Sequence, residues 1–211
     1  MKITTSNLPN EGYQFQSELY HPELAQFIRN ETQHQEFLLK AFRFFNGILL
    51  MAMAGYLGFK VASDWVHIGK YFLNLANGIV LVFLLVIPHE LLHGLAYKWV
   101  GAPKVSYGAD WKKLLFFAVA DGFVANYREF RLVALTPFVV ISIGFLIALP
   151  LAPNSFFFTV LTMFTLHTTF CAGDFGLLNY MQRFKDHGVV TVDFKEEKKS
   201  AFWIKSPLVN E

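Results

Sequence analysis

The sequence predicts a mainly α-helical integral membrane protein, with four transmembrane helices and a cytoplasmic β-hairpin between the second and third spans. Three observations carry that reading. Hydrophobic residues make up 54% of the 211-residue chain and charged residues only 16%, where an average soluble domain carries about 25%. Mean hydropathy is +0.38. Four apolar stretches each approach the roughly 20 residues needed to cross a hydrocarbon core of about 30 Å. The single cysteine, Cys171, excludes a disulfide framework and a Cys-rich zinc finger. A net charge of +2 gives no basis for nucleic-acid binding.

The elements follow in order. Residues 1–36 are too polar to hold the apolar core of a signal peptide. Residues 21–45 read as an amphipathic helix leading into the first span, with Pro22 near its start. The first span covers 42–61 and is uncharged from Phe44 to Phe59. The second begins at Tyr71 and is uncharged through Pro88; the third covers 132–152; the fourth begins at Phe156 and is uncharged until Asp174. Between the second and third spans, Asp110, Lys112, Lys113 and Asp121 rule out a membrane crossing. Residues 114–120 and 123–127 read there as two strands joined at Asp121-Gly122, a strong hairpin turn pair, and 105–107 as a short third strand. Three regions result: a cytoplasmic segment with an amphipathic helix (1–41), a membrane domain (42–182) that includes the hairpin region (103–130), and a cytoplasmic tail (183–211). In the tail, 188–194 alternates like a strand and 196–199 reads as a solvated stretch.

Lys and Arg set the expected orientation. They are plentiful before the first span (Lys2, Arg29, Lys40, Arg43), between the second and third (Lys98, Lys104, Lys112, Lys113, Arg128, Arg131) and in the tail. The first loop holds only Lys60 and Lys70, and the third loop has none. Both termini and the middle loop are therefore expected in the cytoplasm.

The second span ends in Pro88-His89-Glu90-Leu91-Leu92-His93-Gly94. Residues four apart share a helix face. His89 and His93 can then grip one Zn²⁺, while Glu90 reaches a metal-activated water as general base. From this chain's composition, His-Glu-x-x-His arises by chance roughly 0.01 times per chain. Ionisable residues inside spans are rare and usually functional. Such a site needs a third protein ligand, and the fourth span offers His167 and Asp174. Tyr71 to His89 and Phe156 to Asp174 each cover about 27 Å of helix, so depth favours Asp174. His167 lies about 10 Å nearer the outside and stays available to support a ligand or line a substrate channel. The alternative for Asp174 is a pair with Arg183 or an interfacial lysine. Pro88 and Pro137 each remove a helix hydrogen bond, and Pro88 can kink the helix and admit water.

These residues resemble the putative zincin peptidase family, and through it the site-2 protease class of intramembrane metalloproteases. The likeness rests on His89-Glu90-Leu91-Leu92-His93-Gly94, the strand region after it, a Pro-containing span and Gly173-Asp174, and covers residues 71–181. It implies His89, His93 and Asp174 as metal ligands, Glu90 as catalytic base and Zn²⁺ as cofactor. The chain has Ala172-Gly173-Asp174-Phe175-Gly176 in place of the fuller Asn-Pro-Asp-Gly motif and no recognisable PDZ domain. The expected function is a membrane-embedded zinc metalloprotease working near the cytoplasmic face. Its expected partners are a peptide or membrane-protein substrate and the lipid bilayer, with the oligomeric state left open. The resemblance implies a bacterial cytoplasmic membrane. An exposed strand could hold an extended substrate by β-augmentation. The rival readings are a transporter or proton relay built on the same His/Glu/Asp cluster, and a non-catalytic zinc-binding membrane protein.

Overall fold

The computed structural model describes residues 4–31, 33–34, 36–110 and 115–205. Three helical stretches are long and apolar enough to cross a membrane: Phe37–Ser63, Trp65–Trp99 and Tyr127–Leu151. The helices are α1 (Leu24–Glu31), α2 (Phe37–Ser63), α3 (Ile68–Val82), α4 (Val86–Trp99), α5 (Tyr127–Leu151), α6 (Phe157–Phe170) and α7 (Ala172–Arg183). The expected fourth span is broken at Cys171 into α6 and α7, neither of which is long enough alone. The expected helix over 21–45 is also divided, with α1 ending at Glu31 and α2 starting at Phe37. Buried Asn179 of α7 fills that break. Its amide donates to His34 O (2.6 Å) and its Oδ1 accepts from Glu36 N (2.9 Å). Glu31 Oε1 meets Arg183 at 2.7 Å, so Arg183 is engaged away from Asp174.

A four-stranded antiparallel sheet stands beside the helices in the order β1 (Gln14–Tyr20), β6 (Lys199–Ile204), β5 (Val190–Phe194), β4 (Val124–Asn126). A separate hairpin pairs β2 (Ser106–Asp110) with β3 (Leu115–Val119). The hairpin therefore exists, but not with the expected partners. The chain does turn at Asp121-Gly122, with Gly122 at φ +68° and Phe123 N bonded to Ala120 O. Strand β4 then pairs with β5, not with β3. The cause lies in the turn itself. Gly122 N donates to Asp193 O, and Asp121 Oδ1 accepts from Lys195 N, so the turn is tied to the distant strand. Trp111, Lys112, Lys113 and Leu114, including the first residue of the expected strand, lie outside the described residues, as do 206–211. The strand expected over 188–194 is β5. Lys199, expected in a solvated stretch, opens β6 and meets Glu18 at 3.1 Å.

The strand–helix junction at Asn126 is tightly specified. Asn126 ends β4 opposite Val190 and is also the N-cap of α5. Its side chain accepts from Arg128 N and Glu129 N (2.9 and 3.1 Å), while Glu129 reaches back to Asn126 N at 3.0 Å. This capping box satisfies helix N–H groups that have no partner within the helix. The main core lies between the sheet, α4, α5 and α7, where Phe202, Leu178, Met181 and Val133 are buried.

Candidate metal centre

Two prolines prepare the site. Pro88 has no N–H, and its ring crowds the carbonyl four residues before it. The chain answers with a 3-10 turn, Phe83–Leu85, between α3 and α4. Pro137 sits inside α5 and cannot donate to the carbonyl of Val133. That freed oxygen meets His93 Nδ1 at 3.0 Å. A carbonyl only accepts, so Nδ1 carries the proton and Nε2 of the neutral ring keeps its lone pair. A backbone vacancy in one helix thus orients an imidazole on another.

On α4, His89, Glu90 and His93 fall on the side turned toward α7 and β3. His93 is buried at 7% exposure. Its Nε2 lies 3.1 Å from His89 Nε2 and 3.2 Å from Asp174 Oδ1, and His89 Nε2 lies 3.4 Å from Asp174 Oδ2. With metal–ligand bonds of about 2.0–2.1 Å, the edge of a zinc tetrahedron is about 3.3 Å. The His89–His93 separation is close to that edge, and each histidine lies at a similar distance from its own oxygen of Asp174. The donor set, two imidazoles and one carboxylate, suits Zn²⁺ as well. His89, Glu90 and His93 also form a ligand group by proximity alone, as do His89, His167 and Cys171. The structure therefore brings all four predicted residues together.

His167 is closer than its depth suggested. Its Nε2 lies 3.3 Å from His89 Nδ1, on the side of the ring away from Asp174. Residues seven positions apart on α6 and α7 thus bracket one imidazole between them. A ligating histidine commonly donates its second N–H to a supporting group, and His167 stands where that group belongs.

Glu90 takes a backbone hydrogen bond from Ala118 of β3. Among the described residues β3 pairs with β2 alone, and its other edge turns to α4. Gly94 permits this approach, because a Cβ there would lie 2.0 Å from the Tyr107 hydroxyl of β2. Two cavities meet at Glu90 and Phe116. One, of about 140 Å³, runs under β3 past His93 and Asp174 toward the sheet. The other, of about 440 Å³, lies among α3, α4 and α6 and is lined by Val82, Phe83, His89, His167 and Phe170. The freed Val133 carbonyl, the Ala118 edge and Asp193 at the sheet side of the first cavity went unnoticed in the sequence. Only Pro137 gave any local sign of them.

A family model described as putative zincin peptidase matches residues 82–203. That span holds the candidate metal centre, both strands of the hairpin, α5 to α7 and part of the four-stranded sheet. Comparisons with curated proteins and with solved structures returned no significant match.

Proposed function

Because the chain belongs to the putative zincin peptidase family, we propose that it is a membrane-embedded zinc peptidase using His89, His93 and Asp174 as ligands and Glu90 as general base. One observation carries the reading: the His89 and His93 Nε2 atoms stand 3.1 Å apart on α4, each within 3.4 Å of a different oxygen of Asp174 on α7, with Glu90 beside them. Zinc bound there supplies Lewis acidity and lowers the pKa of water. The remaining work falls to the chain. The Glu90 carboxylate takes a proton from the attacking water and delivers it to the leaving amine. The edge of β3 that turns to α4 brings backbone donors and acceptors beside Glu90, where an extended peptide would meet them. The two cavities on either side of Glu90 give that peptide a path from among the helices toward the sheet. His167 holds the His89 ring through Nδ1. A site-2-protease-like mode, a site near the cytoplasmic face, cytoplasmic termini and a bacterial cytoplasmic membrane all belong to this proposal.

The test is Glu90→Gln in detergent-purified protein. Zinc should stay near one per chain while hydrolysis of a peptide library falls by at least about a hundredfold, as expected for a lost general base. Undiminished hydrolysis would refute the role of Glu90. A proton relay is the second reading, favoured by the run of contacts His167–His89–His93–Asp174. It requires a folded protein that takes up no zinc.

A further inference from the structure

The cavity under β3 continues beyond Glu90. Tyr97 stands one helical turn, about 5.4 Å, past His93 on α4, and its hydroxyl donates to Asp193 Oδ2 at 3.1 Å. Ser200 Oγ donates to Asp193 Oδ1 at 2.6 Å. His21 lines the same end, and its Nδ1 is buried with no hydrogen-bond partner. Between this polar end and Glu90 the walls are apolar: Leu19, Phe117, Val133 and Phe202. Among the described residues no Lys or Arg pairs with Asp193.

A shielded carboxylate with no countercharge is costly. Burial raises the Asp193 carboxyl above its ordinary value, against the pull of the Ser200 and Tyr97 hydroxyls. Both oxygens tie α4 to the sheet through these hydroxyls, but a hydroxyl is neutral and supplies no countercharge. Each carboxylate oxygen also keeps a lone pair to spare. An apolar passage with a carboxylate at its end suits a side chain with an aliphatic stem and a cationic tip.

We propose that this cavity is a specificity subsite for a lysine or arginine of the substrate peptide, its stem along Leu19, Phe117 and Phe202 and its cationic tip on Asp193. The unpartnered Nδ1 of His21 is the second polar contact at the tip. The word substrate rests on the peptidase reading; the cation site does not.

Two measurements separate these claims. In the first, zinc-loaded Glu90→Gln protein in detergent is titrated into labelled peptides Ala-Ala-Xaa-Ala-Ala, with Xaa as Lys, Arg, norleucine or Glu, and binding is read by anisotropy. Lys and Arg should bind about tenfold more tightly than norleucine, the worth of one charge-assisted contact. Adding Asp193→Asn should erase that ratio and leave norleucine unchanged. In the second, n-butylammonium and n-butanol are compared as thermal stabilisers of the peptide-free wild type. Only n-butylammonium should stabilise it, and not in Asp193→Asn. Equal binding of Lys and norleucine, or a preference that survives Asp193→Asn, overturns the subsite. If Asp193→Asn does not fold, the wild-type ratio of Lys to norleucine decides. If no peptide binds but n-butylammonium still stabilises selectively, the cation site stands and the peptidase reading falls. If n-butylammonium acts no differently from n-butanol and no peptide binds, the cation site falls too.

Discussion

Replacing Pro137 with alanine should raise stability and weaken metal binding at once. Alanine at 137 restores an N–H aimed at Val133 O, the oxygen that now meets His93 Nδ1 at 3.0 Å. A proline inside a helix costs about 3 kcal/mol relative to alanine. Pro137 is buried, so losing two ring carbons returns about 0.8 kcal/mol for each. The net gain is about 1 kcal/mol, or roughly 2–4 °C in Tm for a chain of this size. The metal side moves the other way. Val133 O has two lone pairs, so His93 is loosened but not released. Loss of a supporting contact to a ligand costs about 10–100-fold in affinity, and the lower end applies here. Zinc affinity would be measured by competition with a chromophoric chelator, and Tm on the metal-free protein. Pro150→Ala, at the far end of the same helix, is the control. A folded Pro137→Ala protein with wild-type zinc affinity would refute the link between the two helices.

His167→Ala should cut zinc affinity about 10–100-fold while zinc remains bound at saturation; unchanged affinity would leave His89 without support from α6. Gly78→Val should separate α3 from α6, because a Cβ there lies 2.6 Å from Thr162 Cβ and 3.0 Å from Thr159 O. Overpacking of this kind costs about 1–3 kcal/mol, and Thr162→Ala, which removes the Cγ2 methyl 2.7 Å from the added Cβ, should restore part of the lost Tm. Burial lowers the pKa of His21, so its neutral form is favoured by folding. That contribution is full above the ordinary histidine value of about 6.5 and is lost as pH falls below it, where the unfolded chain binds the proton first. The Tm advantage of wild type over His21→Gln should therefore shrink from pH 7.5 to pH 5.5. A constant advantage would contradict this.

The part of the site that was legible in the sequence follows from local geometry. His89 and His93 are one helical turn apart wherever they occur, and a count of residues from the other side of the bundle places Asp174 at their level. The pairing of β4 with β5 leaves no such trace. Strands as short as Val124–Asn126 carry no usable period, and the turn at Asp121-Gly122 fits a hairpin as well as it fits the crossover that forms. The contacts that redirect it, Gly122 N to Asp193 O and Asp121 to Lys195 N, join residues far apart in the chain. Strand β1 was hidden for a related reason, since Leu19 alone of its seven residues is buried and no alternation marks an inward face. The break at Cys171 had no proline or charge to announce it. Pro137 was visible, but its effect depends on which side chain approaches the carbonyl it frees, and that is decided by packing.

The double duty of Asn126 has a mechanical consequence. It closes a strand of the sheet and begins α5 with no intervening residue, so no joint exists there to absorb a displacement. A strand drawn outward would turn the first turns of α5 with it, and those turns carry the Val133 carbonyl that fixes His93. The sheet is then a lever on the candidate metal centre, and tension applied to its strands is felt as a change in the aim of one imidazole.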